Sequence, residues 1–177
     1  MDYQKTALLI VDVQTDIVED QPYRIQELLH RINLLKAHFK KNSGEIIFVR
    51  HDDGAGSSLE KGTPGWQIYQ DIAPTEGEKV FDKNYNSAFR NTGLREYLEL
   101  RGIDTLVLTG LQTEYCIDAT CKVAFEYGFN VIIPEGTVST FDNKYLKAEE
   151  INDFYVYHMW NNRYAKVMAT EELLNCK

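Results

Sequence analysis

Four stretches of this chain are unbroken apolar runs of strand length, found within TALLIVDV, EIIFVR, DTLVLTG and NVIIPEG. A strand with one face in water alternates apolar and polar residues, so a run without alternation is covered on both faces. Segments of helical spacing lie between them. Ile25, Leu28, Leu29, Ile32, Leu35 and Phe39 mark one from about Arg24 to Lys41, TGLREYLELRG stops at Gly102, and Glu114–Tyr127 is closed by Gly128. Buried strands alternating with helices predict the α/β class: a three-layer α/β/α sandwich on a mainly parallel central sheet. KVFDK adds a short strand, Lys147–Trp160 a polar-rich helical segment and AKVMAT an edge strand.

At 177 residues the chain suits one domain spanning 1–177. Its net charge of −8 repels phosphate, which argues against nucleic-acid and anionic-membrane partners. No stretch approaches the roughly 20 apolar residues of a membrane span. The opening MDYQKTALLIVDVQ runs from its apolar stretch straight into Asp12, without the small-residue cleavage site of a signal peptide. Three cysteines, an odd number, fit free thiols in a reducing compartment, so the expected location is the cytoplasm.

In a parallel sheet, ligands sit outside the carboxyl ends of the strands. That rule singles out Asp12, the Arg50–His51 corner, the residues after Val80 and the turn after Thr109. Cys116 falls in the first turn of a predicted helix, where unpaired amides and the helix dipole favour thiolate. The plain alternative is a buried structural cysteine. Asp12, closing a central strand, is placed to be partly desolvated and to act as a general base; the alternative is an ordinary capping residue, for which Asp16 is the better candidate. Lys83 ends a short strand and would stabilise a nearby thiolate, although most lysines are simply solvated.

The blocks ALLIVDVQTDIV, FDKNYNSAF and TLVLTGLQTEYCIDATCKVAFEYGFNVII resemble the isochorismatase-like cysteine hydrolases in order and spacing, and KGTPGW resembles a loop many members carry. The likeness covers about Lys5 to Asp142. It implies catalytic roles for Asp12, Lys83 and Cys116, a cis peptide at Leu111–Gln112, and an oxyanion hole formed by the backbone N–H groups of Gln112 and Cys116. It further implies nucleophilic acyl transfer through a thioester, with an amide or ureido small molecule as substrate and a dimer or tetramer as the assembly. Gln14, His51, Trp66, Tyr85, Phe89 and Tyr115 are the candidate substrate-binding residues.

The chain departs from the metal-binding nicotinamidases of that family. They carry an Asp-x-His pair after the second strand, and here Val49 stands two residues before His51. His30 and His38 fall on the first long helix, with surface positions expected. No metal and no other cofactor is therefore expected. The glycines of HDDGAGSSLEKGTPGW match neither a P-loop nor a dinucleotide fingerprint. A non-catalytic binding module and a thiol switch on the same fold remain open as other readings. The aromatic run DFYVYHMWNNRY fits either an interface or packing onto the body.

Overall fold

Strand β1, Thr6–Val11, is buried at all six positions because it runs between two parallel neighbours, β2 (Glu45–His51) and β4 (Thr105–Leu111). The structure, a computed structural model, describes residues 1–176. The sheet continues through β3 (Lys79–Lys83), β5 (Asn130–Pro134) and β7 (Lys166–Met168), in the spatial order β3-β2-β1-β4-β5-β7. A two-residue strand, β6 (Val138–Ser139), pairs with the end of β4. All these pairings are parallel. The helix Ile25–Lys41 lies on the crossover from β1 to β2, Leu94–Leu100 on that from β3 to β4 and Asp118–Glu126 on that from β4 to β5. The long connection from β2 to β3 holds only a single 3-10 turn, Gln70–Ile72.

The pleat sends alternate residues to opposite faces. Leu8 and Ile10 pack with Phe48 against helix α2 (Ile25–Lys41), which buries Leu28, Leu29, Ile32, Leu35 and Phe39 at the expected spacing. Ala7, Leu9 and Val11 pack with Val49 and Leu108 against helices α3 (Leu94–Leu100) and α4 (Asp118–Glu126). Helices thus cover both faces, in agreement with the predicted sandwich. A short helix α1 (Thr15–Glu19) follows β1, and α5 (Ala148–Asp153) and α6 (Thr170–Leu174) complete the set.

Several local expectations change. The segment before α4 begins as a π turn, Thr113–Ile117, and α5 passes into a second π-helical segment, Phe154–Trp160. Cys116 therefore sits in a widened turn of the kind that often marks functional positions, not in the first turn of an α-helix. Asp16 lies inside α1 and does not cap it; its carboxylate instead accepts a short hydrogen bond from the Ser58 hydroxyl. His38 is half-buried, with Tyr3 Oη 2.5 Å from its Nε2, and burial lowers its proton affinity.

Gly110 is the tightest point of the sheet. It has φ +123°, and a Cβ placed there would lie 2.0 Å from the carbonyl oxygen of Val11, a backbone atom that cannot move aside. The close approach brings the end of β4 hard against the end of β1, immediately before Asp12. Gly110→Ala is expected to cost at least about 3 kcal/mol from backbone strain and steric overlap. Urea denaturation of the variant beside wild type measures it, and an unchanged midpoint would contradict this geometry.

Candidate active site

Asp12 leaves β1 in the left-handed region at φ 55°, with its N–H donating to Val49 O at 2.9 Å. That turn ends the strand and sets the carboxylate at the carboxyl rim of the sheet. Lys83 closes β3 directly beside His51, its register partner on β2. Cys116 arrives from the far side, on the π turn after β4. The Leu111–Gln112 peptide just before that turn is cis.

Three distant segments thereby meet around one ammonium. Lys83 Nζ donates to Asp12 Oδ2 at 2.6 Å and to Cys116 Sγ at 3.1 Å, and lies 2.8 Å from His51 Nδ1. The lysine side chain is wholly buried and that of Asp12 is 2% exposed. Asp12 Oδ1 is buried with no hydrogen-bond partner. The site thus contains a carboxylate oxygen free to accept a proton, a sulfur nucleophile, and a cation bound to both residues.

Burial, reinforced by the charge of Asp12, pushes the Cys116 thiol well above the usual thiol range; Lys83 opposes this and does not outweigh it. The resting group is the protonated thiol. The sequence expectation of a favoured thiolate is corrected: desolvation and the charge of Asp12 outweigh the ammonium of Lys83. A thiol in this state needs a base at the moment of attack, and Asp12 Oδ1 is the unpartnered acceptor in the cluster.

The candidate substrate-binding residues fare unevenly. Gln14 is completely buried. Its amide nitrogen donates to His51 O at 2.9 Å and to Trp66 O at 3.0 Å, and its oxygen accepts from His51 N at 2.8 Å. Both N–H bonds of that amide are spent on the backbone and the whole side chain is shut away from solvent, so Gln14 is a brace. Phe89 points the other way: it stacks on Phe129, which precedes the amino end of β5, with Tyr127 at its edge. Trp66 lies under the guanidinium of Arg50, 3.5 Å from the ring centroid. Arg50 leaves β2 on the face opposite His51, so the tryptophan anchors the glycine-rich loop. Tyr85, with Arg90 3.6 Å over its ring, and Tyr115, beside Cys116, are exposed and available at the rim.

The sequence reading missed two parts of this arrangement. Asp53 Oδ1 lies 2.8 Å from His51 Nε2, and Asp82 ties both Arg50 and Lys61 beneath the loop at 2.9 and 2.8 Å. The HDD triplet was a visible signal for the first; the second depends on strand register and has no local signature.

Asp12, His51 and Cys116 also form a group whose potential ligand atoms lie within 4.8 Å of one another. The ammonium of Lys83 stands among them, within hydrogen-bonding distance of all three. A metal ion would have to displace it, so the residues as arranged do not fit a metal ion.

Residues 6–172 match the Isochorismatase domain. The chain is 30% identical over 138 residues to a streptothricin hydrolase of Streptomyces noursei, covering 77% of this chain and half the length of that protein. An isochorismatase-family hydrolase structure from Chromobacterium violaceum superposes with a TM-score of 0.88 at 29% identity, covering 97% of this chain and 92% of that one. N-carbamoylsarcosine amidase from Thermoplasma acidophilum shares the fold, with a TM-score of 0.80 at 22% identity over 94% and 97% of the two chains. A domain match across nearly the whole chain, together with these superpositions, places the protein in the isochorismatase family.

Proposed function

We propose that this protein hydrolyses an amide-type C–N bond in a small molecule, through a thioester on Cys116. The observation that carries the reading is Lys83 Nζ bonded at once to Asp12 Oδ2 and Cys116 Sγ, with Asp12 Oδ1 left free in a buried place. Asp12 takes the thiol proton as the sulfur attacks the carbonyl carbon. The backbone N–H groups of Gln112 and Cys116 receive the oxyanion. When the tetrahedral intermediate collapses, the C–N bond breaks and Asp12 returns its proton to the leaving nitrogen. A water molecule, deprotonated by Asp12, then cleaves the thioester to give an acid and restore the thiol.

Lys83 holds the carboxylate charge and stabilises sulfur as its proton departs. Because its ammonium occupies the position a metal would take, the reaction runs without one. The protonated resting thiol also weighs against a redox switch, since thiolate is the form that oxidants attack. The names of the similar proteins, streptothricin hydrolase and N-carbamoylsarcosine amidase, support amide and ureido substrates. Among the described residues no helix is long and apolar enough to cross a membrane, and the cysteines are free; a cytoplasmic enzyme belongs to the same reading. Exposed Tyr115, Phe154 and Tyr157 supply apolar surface for a dimer or tetramer.

Cys116→Ala is expected to lower amide hydrolysis at least about 10³-fold while leaving the circular dichroism spectrum unchanged. Rapid quenching of wild type during turnover is expected to yield an acyl adduct at Cys116 by mass spectrometry. Substantial activity in the alanine variant would end the proposal. Ammonia release is expected to be the same with and without chelator, and loss on chelation would overturn the metal-free reading.

The buried thiols also set an alkaline limit on stability. Cys121 is pushed up to about 12 by burial and Cys116 higher still, while an unfolded thiol ionises near 9.0. Their contribution is complete below pH 9 and is lost above it, as the unfolded chain gives up protons that the native state keeps. Each thiol steepens the decline by about 1.4 kcal/mol per pH unit. Urea midpoints from pH 8 to 10.5 should therefore fall less steeply for Cys116→Ala than for wild type. Parallel curves would contradict the shift.

A further inference from the structure

An ammonium has three N–H bonds, and Lys83 meets three acceptors. Two of them, Asp12 and Cys116, belong to the chemistry already proposed. The third, His51 Nδ1 at 2.8 Å, has no part in it. We propose that His51 is the positioning residue of this site: a neutral imidazole that takes the third N–H of Lys83 and so aims the other two at the carboxylate and the sulfur. The proposal rests on the thioester reading.

The hydrogen-bond pattern assigns the ring. Nδ1 faces an ammonium, which can only donate, so Nδ1 is the acceptor and the proton resides on Nε2. Nε2 in turn lies 2.8 Å from Asp53 Oδ1, an acceptor on its other side. The imidazole is thus held in one tautomer from both ends, as second-sphere partners hold histidines elsewhere. Both nitrogens are engaged, so the ring has none to offer a substrate. The sequence expectation that His51 binds substrate is corrected on that ground.

The backbone of His51 is held as firmly as its ring. Gln14 accepts from His51 N and donates to His51 O, and Gln14 is itself two residues from Asp12. His51 and Lys83 are register partners on adjacent parallel strands, which directs their side chains to the same face. A lysine stem has four flexible carbons and a head without directional rigidity. With two acceptors the head can pivot about them; a third leaves it one orientation. That is the physical need His51 meets.

The test compares His51→Phe, which keeps an aromatic ring and removes the acceptor, with His51→Asn, whose Oδ1 can stand near the place of Nδ1. A third variant, Asp53→Ala, frees the tautomer from a half-exposed position. Each is assayed for kcat and KM on an ammonia-releasing amide and, without substrate, for the rate at which iodoacetamide inactivates Cys116. His51→Phe is expected to lose about 10²-fold in kcat with KM within about twofold, and about tenfold in alkylation rate. His51→Asn should recover most of both losses, and Asp53→Ala should lose about fivefold in kcat. Wild-type kcat in His51→Phe, a change in KM alone, or equal losses in the Phe and Asn variants would overturn the proposal. If His51→Phe does not fold, wild-type rates in Asp53→Ala overturn it instead. An active Cys116→Ala enzyme would defeat the thioester reading itself. An inactive one beside an unimpaired His51→Phe defeats only the assignment of His51.

Discussion

Lys83 carries a positive charge to a point where its side chain has no contact with water. Removing an ion from water costs several kcal/mol even after the protein relaxes, and a single buried partner repays that cost only in good geometry. Here the compensation comes from a carboxylate at 2.6 Å with two further acceptors around the same nitrogen. Such a pair is weak evidence for stability, because apolar residues of similar volume often fold as well. Its placement at the rim of a parallel sheet, where three chain segments end, makes better sense as a chemical arrangement. The fold serves it: β1, β3 and the turn after β4 each deliver one member, and Gly110 lets two of those segments approach closely.

The state of the sulfur follows from the same cluster. Papain-like logic would hold a thiolate ready beside a cation. In this site burial and the charge of Asp12 outweigh Lys83, which favours a sulfur that keeps its proton. On the proposed mechanism, nucleophile activation and proton acceptance become one event between two groups. A site of that kind resists stray alkylation and oxidation, and it spends its reactivity only when a carbonyl carbon is held against the sulfur.

Much of this organisation can be read from the chain because the sheet is parallel and doubly covered. Runs such as ALLIV and TLVL, set between segments of helical spacing, point to doubly covered strands. The strand-end rule then leads to Asp12, the Arg50–His51 corner and the residues after Val80 without coordinates. What pattern alone misses is local and geometric. The π turn at Thr113–Ile117 has the composition of an ordinary helix start, and β6 is too short for any periodicity. Gln14 and Trp66 look like pocket residues by type and position. Only the groups they meet, the peptide groups of His51 for Gln14 and the Arg50 guanidinium for Trp66, show that they hold the site together. Phe89 follows the lysine block closely in sequence yet turns toward Phe129, because the chain reverses in the Ser87–Asn91 region and offers its apolar side to the opposite pole.

One fully buried amide, that of Gln14, fastens the carbonyl of Trp66 and both peptide groups of His51. The segment from Asp52 to Tyr69 and the catalytic rim therefore share a single rivet. A force that lifts the loop strains the strand end holding the imidazole, and a disturbance among the charged groups is felt in the loop. The position of the loop and the aim of the charged groups are mechanically one variable.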